Sequence, residues 1–201
     1  PRALGDHPCP RWRAAGGEPI QPPSASGDPW PDELDPHFRD VDIAIARTRG
    51  EYDGEECVRE IEALYVNMIR SAKRFVYAEN QYFASRIIAK AIAERLQEPD
   101  PPEIVIVNPH SADGWLEDKV MSTARAELMD VVRKCDRHGR FRIYYPVTEG
   151  REDIYVHSKI TIVDDRLLRV GSGNLNNRSM GLDSECDLLI DSSLPGNAGA
   201  V

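Results

Sequence analysis

The sequence predicts an α/β protein built on a mixed β-sheet flanked by helices. Three observations predict it. Strand-like and helix-like segments alternate over residues 41–190, Ile104-Val105-Ile106-Val107 is a fully apolar run, and two apolar segments flank Asp164-Asp165-Arg166. Alternation favours helices packed on a sheet, the apolar run suits a strand buried at the sheet's centre, and the acidic turn suits a hairpin.

The elements follow in order. The first 36 residues hold nine of the fifteen prolines. Such a stretch buries too little apolar surface to offset its ordering entropy. Residues 1–38 are therefore expected to be a proline-rich linker, and residues 39–201 the folded domain. Residues 41–46 alternate as a strand does, and Ile61, Leu64, Tyr65, Met68 and Ile69 recur at helical spacing within residues 57–72. Residues 75–78 form the next strand. A helix over residues 85–97 ends before Pro99-Asp100-Pro101-Pro102. The run at residues 104–107 comes next. A long helix over residues 116–136 stops at His138-Gly139, and residues 141–145, with Tyr144-Tyr145 as sheet packing, form a further strand. Residues 155–163 and 167–171 are the hairpin, and residues 186–190 the last strand.

Composition narrows the function classes. The chain is 41% hydrophobic and 29% charged, with a net charge of −9. No apolar run approaches the roughly 18 to 20 residues of a membrane span. Net acidity argues against a nucleic-acid partner, because a polyanion-binding surface is normally basic. Cys9, Cys57, Cys135 and Cys186 form no CxxC pair. Free thiols in a reducing compartment follow, and neither a metal site nor a cofactor motif is expected. Nothing at the N-terminus has the basic-then-apolar layout of a signal peptide; the compartment stays open, with a cytoplasmic or peripheral-membrane location the expectation.

The chemistry concentrates between His157 and Asn174. On a strand, His157 and Lys159 share a face, while Ser158, Ile160 and Ile162 share the other, from which the isoleucines enter the core. A lysine offers a fixed positive charge to a phosphate oxygen. A histidine, titrating near neutrality, can attack phosphorus or protonate a leaving oxygen. Ser172 and Asn174 add neutral donors from the returning strand, and Gly171 and Gly173 are expected to let the backbone approach the ligand. The ensemble is a phosphate pocket that needs no metal.

These residues, spaced HxKx₄Dx₆GSxN, resemble the signature of the phospholipase D superfamily at every defined position. Tyr155-Val156-His157-Ser158-Lys159, the segment from Asn174 to Met180, and Glu79-Asn80-Gln81-Tyr82-Phe83 are similar to phospholipase D proper. Arg11-Trp12-Arg13 is a weaker echo. The resemblance implies an αβα sandwich that is one half of a two-motif enzyme acting through a phosphohistidine. It implies His157 as general acid and base, Lys159, Ser172 and Asn174 as phosphate ligands, Glu185 as the carboxylate orienting the histidine, and Asp164 as the motif aspartate, more structural than substrate-touching. Asn80 and Gln81 are candidate substrate contacts. The other histidines, His7, His37, His110 and His138, lack a following x-Lys, so the first motif is absent here.

The implied activity is hydrolysis or transphosphatidylation of glycerophospholipids at a membrane surface, giving phosphatidic acid. It requires a second motif from an N-terminal half of the same polypeptide or from a second copy. The alternatives are a homodimeric nuclease of the superfamily, a cardiolipin synthase-like phosphatidyltransferase, or a non-catalytic phosphate-binding fragment.

Overall fold

The computed structural model describes residues 12–21, 27, 30–31, 33–110, 115–198 and 200–201, with the side chains of 115–122 and 124 also outside the description. Cys9, His7, Arg11 and most of the proline-rich stretch therefore lie outside the described residues. The chain divides into two units, Pro1–Arg39 and Asp40–Val201. In the first, residues 12–14 form a short helical turn, and the Trp12 indole donates to the Glu18 carbonyl at 2.9 Å.

Among its described residues the second unit carries ten strands: β1 (Ile43–Arg49), β2 (Val58–Arg59), β3 (Phe75–Glu79), β4 (Phe83–Ala84), β5 (Glu103–Val107), β6 (Phe141–Tyr144), β7 (Ile160–Val163), β8 (Leu167–Gly171), β9 (Leu175–Asn176) and β10 (Glu185–Asp191). Its helices are α1 (Glu60–Ser71), α2 (Arg86–Leu96) and α3 (Trp115–Cys135), followed by a 3₁₀ turn, Pro195–Asn197. Eight strands form one sheet in the order β2-β1-β10-β8-β7-β3-β5-β6, while β4 and β9 pair apart from it. In the eight-stranded sheet β3, β5 and β6 run parallel to one another and the other ladders are antiparallel, while β4 and β9 pair parallel. The sheet is mixed and flanked by helices, as the alternation predicts.

Local chemistry explains the helix ends. Ser85 caps α2, its hydroxyl accepting from the Ile88 N–H at 3.4 Å, as serine does at an N-terminus. α1 starts three residues later than the periodicity suggests, because Val58 and Arg59 pair with β1 instead.

The core lies between the sheet and the three helices. Ala46, Val76, Ala78, Ile104, Ile106, Phe141, Val163 and Leu167 join Ile61, Tyr65, Met68, Ile88, Ile92, Leu96 and Val132 in one buried cluster. Residues that alternate to the other face of the sheet, among them Ile45, Tyr77, Val105, Ile160, Ile162 and Leu168, are only half-buried, and Ile43 and Val170 are exposed. Tyr144 and Tyr145 are also more than half exposed rather than packed against the sheet. No helix among the described residues is long and apolar enough to cross a membrane.

Two features of the predicted hairpin change. Regular pairing begins at Ile160, so His157, Ser158 and Lys159 precede β7 in an irregular stretch. The inward face is also the opposite one: Thr161 and Val163 are buried, while Ile160 and Ile162 stay half-exposed. The reason is visible in the register. Thr161 faces Arg169 across the hairpin and Ala78 on β3, and the charge of Arg169 is compensated inside the core.

Candidate active site

A cleft of about 590 Å³ opens at the end of the sheet where β7 begins and β8 finishes, lined by Gln81, His157, Ser158, Lys159, Ile160, Val170, Gly171, Ser172, Asn174 and Glu185. The fold gathers these residues from four segments. β7 starts just after Lys159, β8 ends at Gly171, and β10 starts at Glu185. The short pair β4–β9 joins Phe83 to Leu175 and Ala84 to Asn176, which brings Gln81, two residues after β3, to the same cleft as Asn174.

Lys159 is buried to 8% exposure, and its ammonium donates to the His157 carbonyl at 2.8 Å and to the Gln81 side-chain oxygen at 3.3 Å. Burial pushes its pKa below the ordinary lysine range; the Glu185 carboxylate opposes that shift and Arg169 adds to it. His157 is exposed at the mouth, its ring stacked near Tyr155 with centroids 6.2 Å apart. Tyr155 is tied in turn to Gln81, whose amide nitrogen donates to the Tyr155 oxygen at 2.7 Å. The Ser172 hydroxyl accepts from the Cys186 N–H at 3.0 Å, which leaves its own proton to donate into the cleft. The Asn174 side-chain oxygen is buried with no partner among the described residues, an unmet polar group of the kind a ligand or water satisfies.

The structure thus brings together His157, Lys159, Gln81, Ser172, Asn174 and Glu185. It does not bring Asp164 or Asn80. Asp164 stands at the far end of β7, where its carboxylate accepts from the backbone N–H groups of Lys73, Arg74 and Phe75 at 2.6, 2.8 and 2.9 Å. Burial raises its pKa, but the three N–H donors outweigh that and hold the carboxyl below its usual range. Asn80 is 1% exposed, and its side-chain oxygen accepts from Tyr82 N–H at 3.1 Å and Leu175 N–H at 3.0 Å. It braces the loops around the cleft instead of facing substrate. Glu185 lines the cleft, yet its described hydrogen bond comes from the Ser179 hydroxyl at 2.7 Å, not from His157.

The sequence reading missed Arg169, Asp187 and Tyr65. Arg169 and Asp187 form an ion pair with both side chains fully buried, and the guanidinium lies 4.4 Å above the Tyr65 ring. A charged residue within each apolar run, Leu167-Leu168-Arg169-Val170 and Asp187-Leu188-Leu189-Ile190, is the available signal. The room left by two glycines is taken by this pair. A Cβ on Gly171 would meet Asp187, and one on Gly173 would press on Arg169 and Asp187. The glycines make room for the buried pair, and Gly171 also lines the cleft.

Chemically, the cleft offers a partly desolvated cation, an exposed imidazole and the neutral polar side chains of Gln81, Ser172 and Asn174, with the Glu185 carboxylate among them. Among the described residues no group of three or more His, Cys, Asp and Glu could hold a metal ion.

Comparison with known proteins fits this arrangement. The family profile described as "Cardiolipin synthase, PLD-like domain" matches residues 65–196. Phospholipase D A of Dictyostelium discoideum is 30% identical over 182 residues, covering 73% of this chain and 14% of the relative. Phospholipase D of Phytophthora infestans is 28% identical, covering 65% of this chain and 10% of its own length. Phospholipase D zeta 2 of Arabidopsis thaliana is 29% identical, with 65% and 17% covered. The chain therefore spans less than a fifth of the length of these relatives. In fold it is similar to Nuc of Salmonella typhimurium, a phospholipase D family member, with TM-score 0.53, 18% identity, and 75% of this chain and 82% of that one covered. Phosphatidylserine synthase of Haemophilus influenzae gives TM-score 0.55 at 16% identity, covering 74% of this chain and 34% of that one.

Proposed function

Because this chain belongs to the phospholipase D superfamily, whose profile it matches over residues 65–196, we propose that it is one half of a phosphodiester-cleaving active site acting on glycerophospholipids. The observation that carries this reading is the presence of a buried ammonium at Lys159 and an exposed imidazole at His157 in the lining of one cleft. The ammonium, the Ser172 hydroxyl and the Asn174 amide hold the non-bridging oxygens of the phosphodiester. Gln81 fixes Lys159 and Tyr155 in place.

In the reaction, the histidine of a second motif attacks phosphorus as the bond to the leaving alcohol breaks, and His157 gives that alcohol its proton. His157, now neutral, takes a proton from water or from an acceptor alcohol, whose oxygen then displaces the first histidine. Hydrolysis yields phosphatidic acid, and an acceptor alcohol yields a transphosphatidylated lipid. Each proton that His157 releases it regains, so the cycle balances without a cofactor. General acid and base work of this kind contributes roughly 10²- to 10⁴-fold to a rate. The second motif comes from an N-terminal half of the same polypeptide or from a second copy of this chain.

The relatives' names support the lipid substrate, and the net charge of −9 supports a lipid over a nucleic acid. The test is an assay of the chain, alone and joined to a unit bearing a second HxKx₄D motif, on phosphatidylcholine vesicles and on duplex DNA. Phosphatidic acid release by the two-motif protein, abolished in His157→Ala, is the expected result. DNA cleavage without lipid turnover would replace the substrate, and no phosphodiester turnover at all would sink the enzyme reading.

A further inference from the structure

The Arg169–Asp187 pair sits directly beneath the phosphate-binding residues and touches their backbone. Arg169 donates from Nη1 to the Lys159 carbonyl at 3.0 Å and from Nη2 to the Gly173 carbonyl at 2.7 Å. Its Nε and Nη2 also donate to one oxygen of Asp187, the former at 2.7 Å. The other Asp187 oxygen accepts from the Gly173 N–H at 3.0 Å. Tyr65, from α1, donates its hydroxyl to the same Gly173 carbonyl at 3.0 Å. Both groups of Gly173 and the carbonyl of Lys159 are thereby held from below.

Those atoms matter because of their neighbours in the chain. Gly173 lies between Ser172 and Asn174, and Lys159 carries the buried ammonium. Holding their backbone leaves the three side chains free to point into the cleft while fixing the spacing between them. Plain stability is a poor account of the pair, since taking two charges out of water is costly and apolar residues of similar volume often do as well. A guanidinium offers what an apolar residue cannot: a planar fork that reaches two carbonyls and a carboxylate at once.

We propose that Arg169 and Asp187 are positioning residues: they clamp the Lys159 backbone to the Gly171–Asn174 loop and so set the geometry in which Lys159, Ser172 and Asn174 grip a phosphate. The inference rests on the reading of the cleft as a phosphate site. The Coulombic influence of Arg169 on Lys159, which lowers the lysine's pKa, is a second route by which the pair acts on the same ammonium.

The experiment uses the whole chain with orthovanadate as probe, read by calorimetric titration and by the melting temperature. Two variants separate positioning from stability. Arg169→Lys keeps a positive charge against Asp187 but loses the fork. The double substitution Arg169→Leu with Asp187→Leu removes the buried charges and fills the space. Each is expected to stay folded while binding vanadate about tenfold more weakly or worse, as small misplacements of binding groups do. A folded variant that binds within about twofold of the unmutated chain would overturn the proposal, because second-layer support would then not be needed.

Amide hydrogen exchange on the unmutated chain gives a reading that does not depend on the variants folding. A clamped Gly173 N–H exchanges only with global opening. Exchange as fast as that of the exposed loop at Thr148–Asp153 would overturn the clamp as well. Absence of vanadate binding by the unmutated chain, with Gly173 protected, would count against the reading of the cleft and leave the clamp supported.

Discussion

At one end of the β7–β8 hairpin, Lys159 and Ser172 turn polar groups into an open cleft. At the other end, one four-residue strand away, Asp164 turns its carboxylate back onto the protein and takes three backbone N–H groups from the segment entering β3. The spacing of the motif is this hairpin written out. The four residues between Lys159 and Asp164 are β7 itself, and the six between Asp164 and Gly171 are the turn and most of β8. One unit of fixed spacing thus contains a binding end that lines the cleft and an anchoring end whose carboxylate is satisfied within the chain. A motif residue can be essential to the fold at one end and to chemistry at the other, and substitutions should separate the two.

The largest effect is expected at the binding end. In the two-motif protein, His157→Ala should lower turnover by roughly 10³-fold. The melting temperature should be unchanged, because the ring is exposed and its described contact is a stack near Tyr155. Steady-state kinetics beside thermal melts read both halves of that statement. A large loss of stability would show that the ring supports the fold.

The anchoring end should behave in reverse. Asp164→Ala removes three charge-assisted hydrogen bonds and should cost roughly 2–4 kcal/mol, with phosphate or vanadate affinity of the folded fraction little changed. The pH dependence has a definite sign. The Asp164 carboxyl is held below its ordinary range, so its contribution is present above the unfolded-state value and lost as pH falls through the folded one. The Asp164→Asn variant should therefore lose less stability than the unmutated chain on acidification, which chemical denaturation at successive pH values would measure.

A smaller contrast of the same type lies in adjacent residues after β3. Asn80→Ala should cost roughly 1–3 kcal/mol by leaving the N–H groups of Tyr82 and Leu175 without a partner. Gln81→Ala should leave stability nearly unchanged and weaken vanadate binding, since Gln81 holds Lys159 and Tyr155 at the cleft. Equal melting temperatures for the two variants would erase the distinction between brace and contact.

The sequence made some of this legible and hid the rest for physical reasons. β8 and the capped helix α2 follow from local pattern alone, since a short apolar strand with a turn before it and a serine cap are decided by neighbours in the chain. The start of β7 and the direction of its faces are not local. They depend on Arg169 being compensated by Asp187 eighteen residues later, which places polar Thr161 inside and isoleucines at half exposure. His157, Lys159, Ser172 and Asn174 were readable because their chemistry is displayed in fixed spacing. Arg169, Asp187 and Tyr65 act on backbone atoms, and backbone contacts leave no pattern of residue types. Asn80 was misplaced for the same reason: its partners are N–H groups that every residue carries.

The smallest expected effect concerns Glu185, which faces the cleft while bonded to Ser179. Burial lowers the Lys159 pKa and Glu185 opposes that, so the carboxylate helps keep the ammonium charged. Replacing it by an amide of the same shape, Glu185→Gln, keeps an oxygen for the Ser179 hydroxyl and removes the charge. The lysine should then lose its proton at lower pH, and the alkaline limb of vanadate binding should move down the pH axis relative to the unmutated chain. If Glu185 instead serves mainly to orient His157, the same variant would leave that limb in place and lower turnover, because the ring would lose its orienting carboxylate. A vanadate titration across alkaline pH therefore decides which of the two cleft residues the carboxylate acts on.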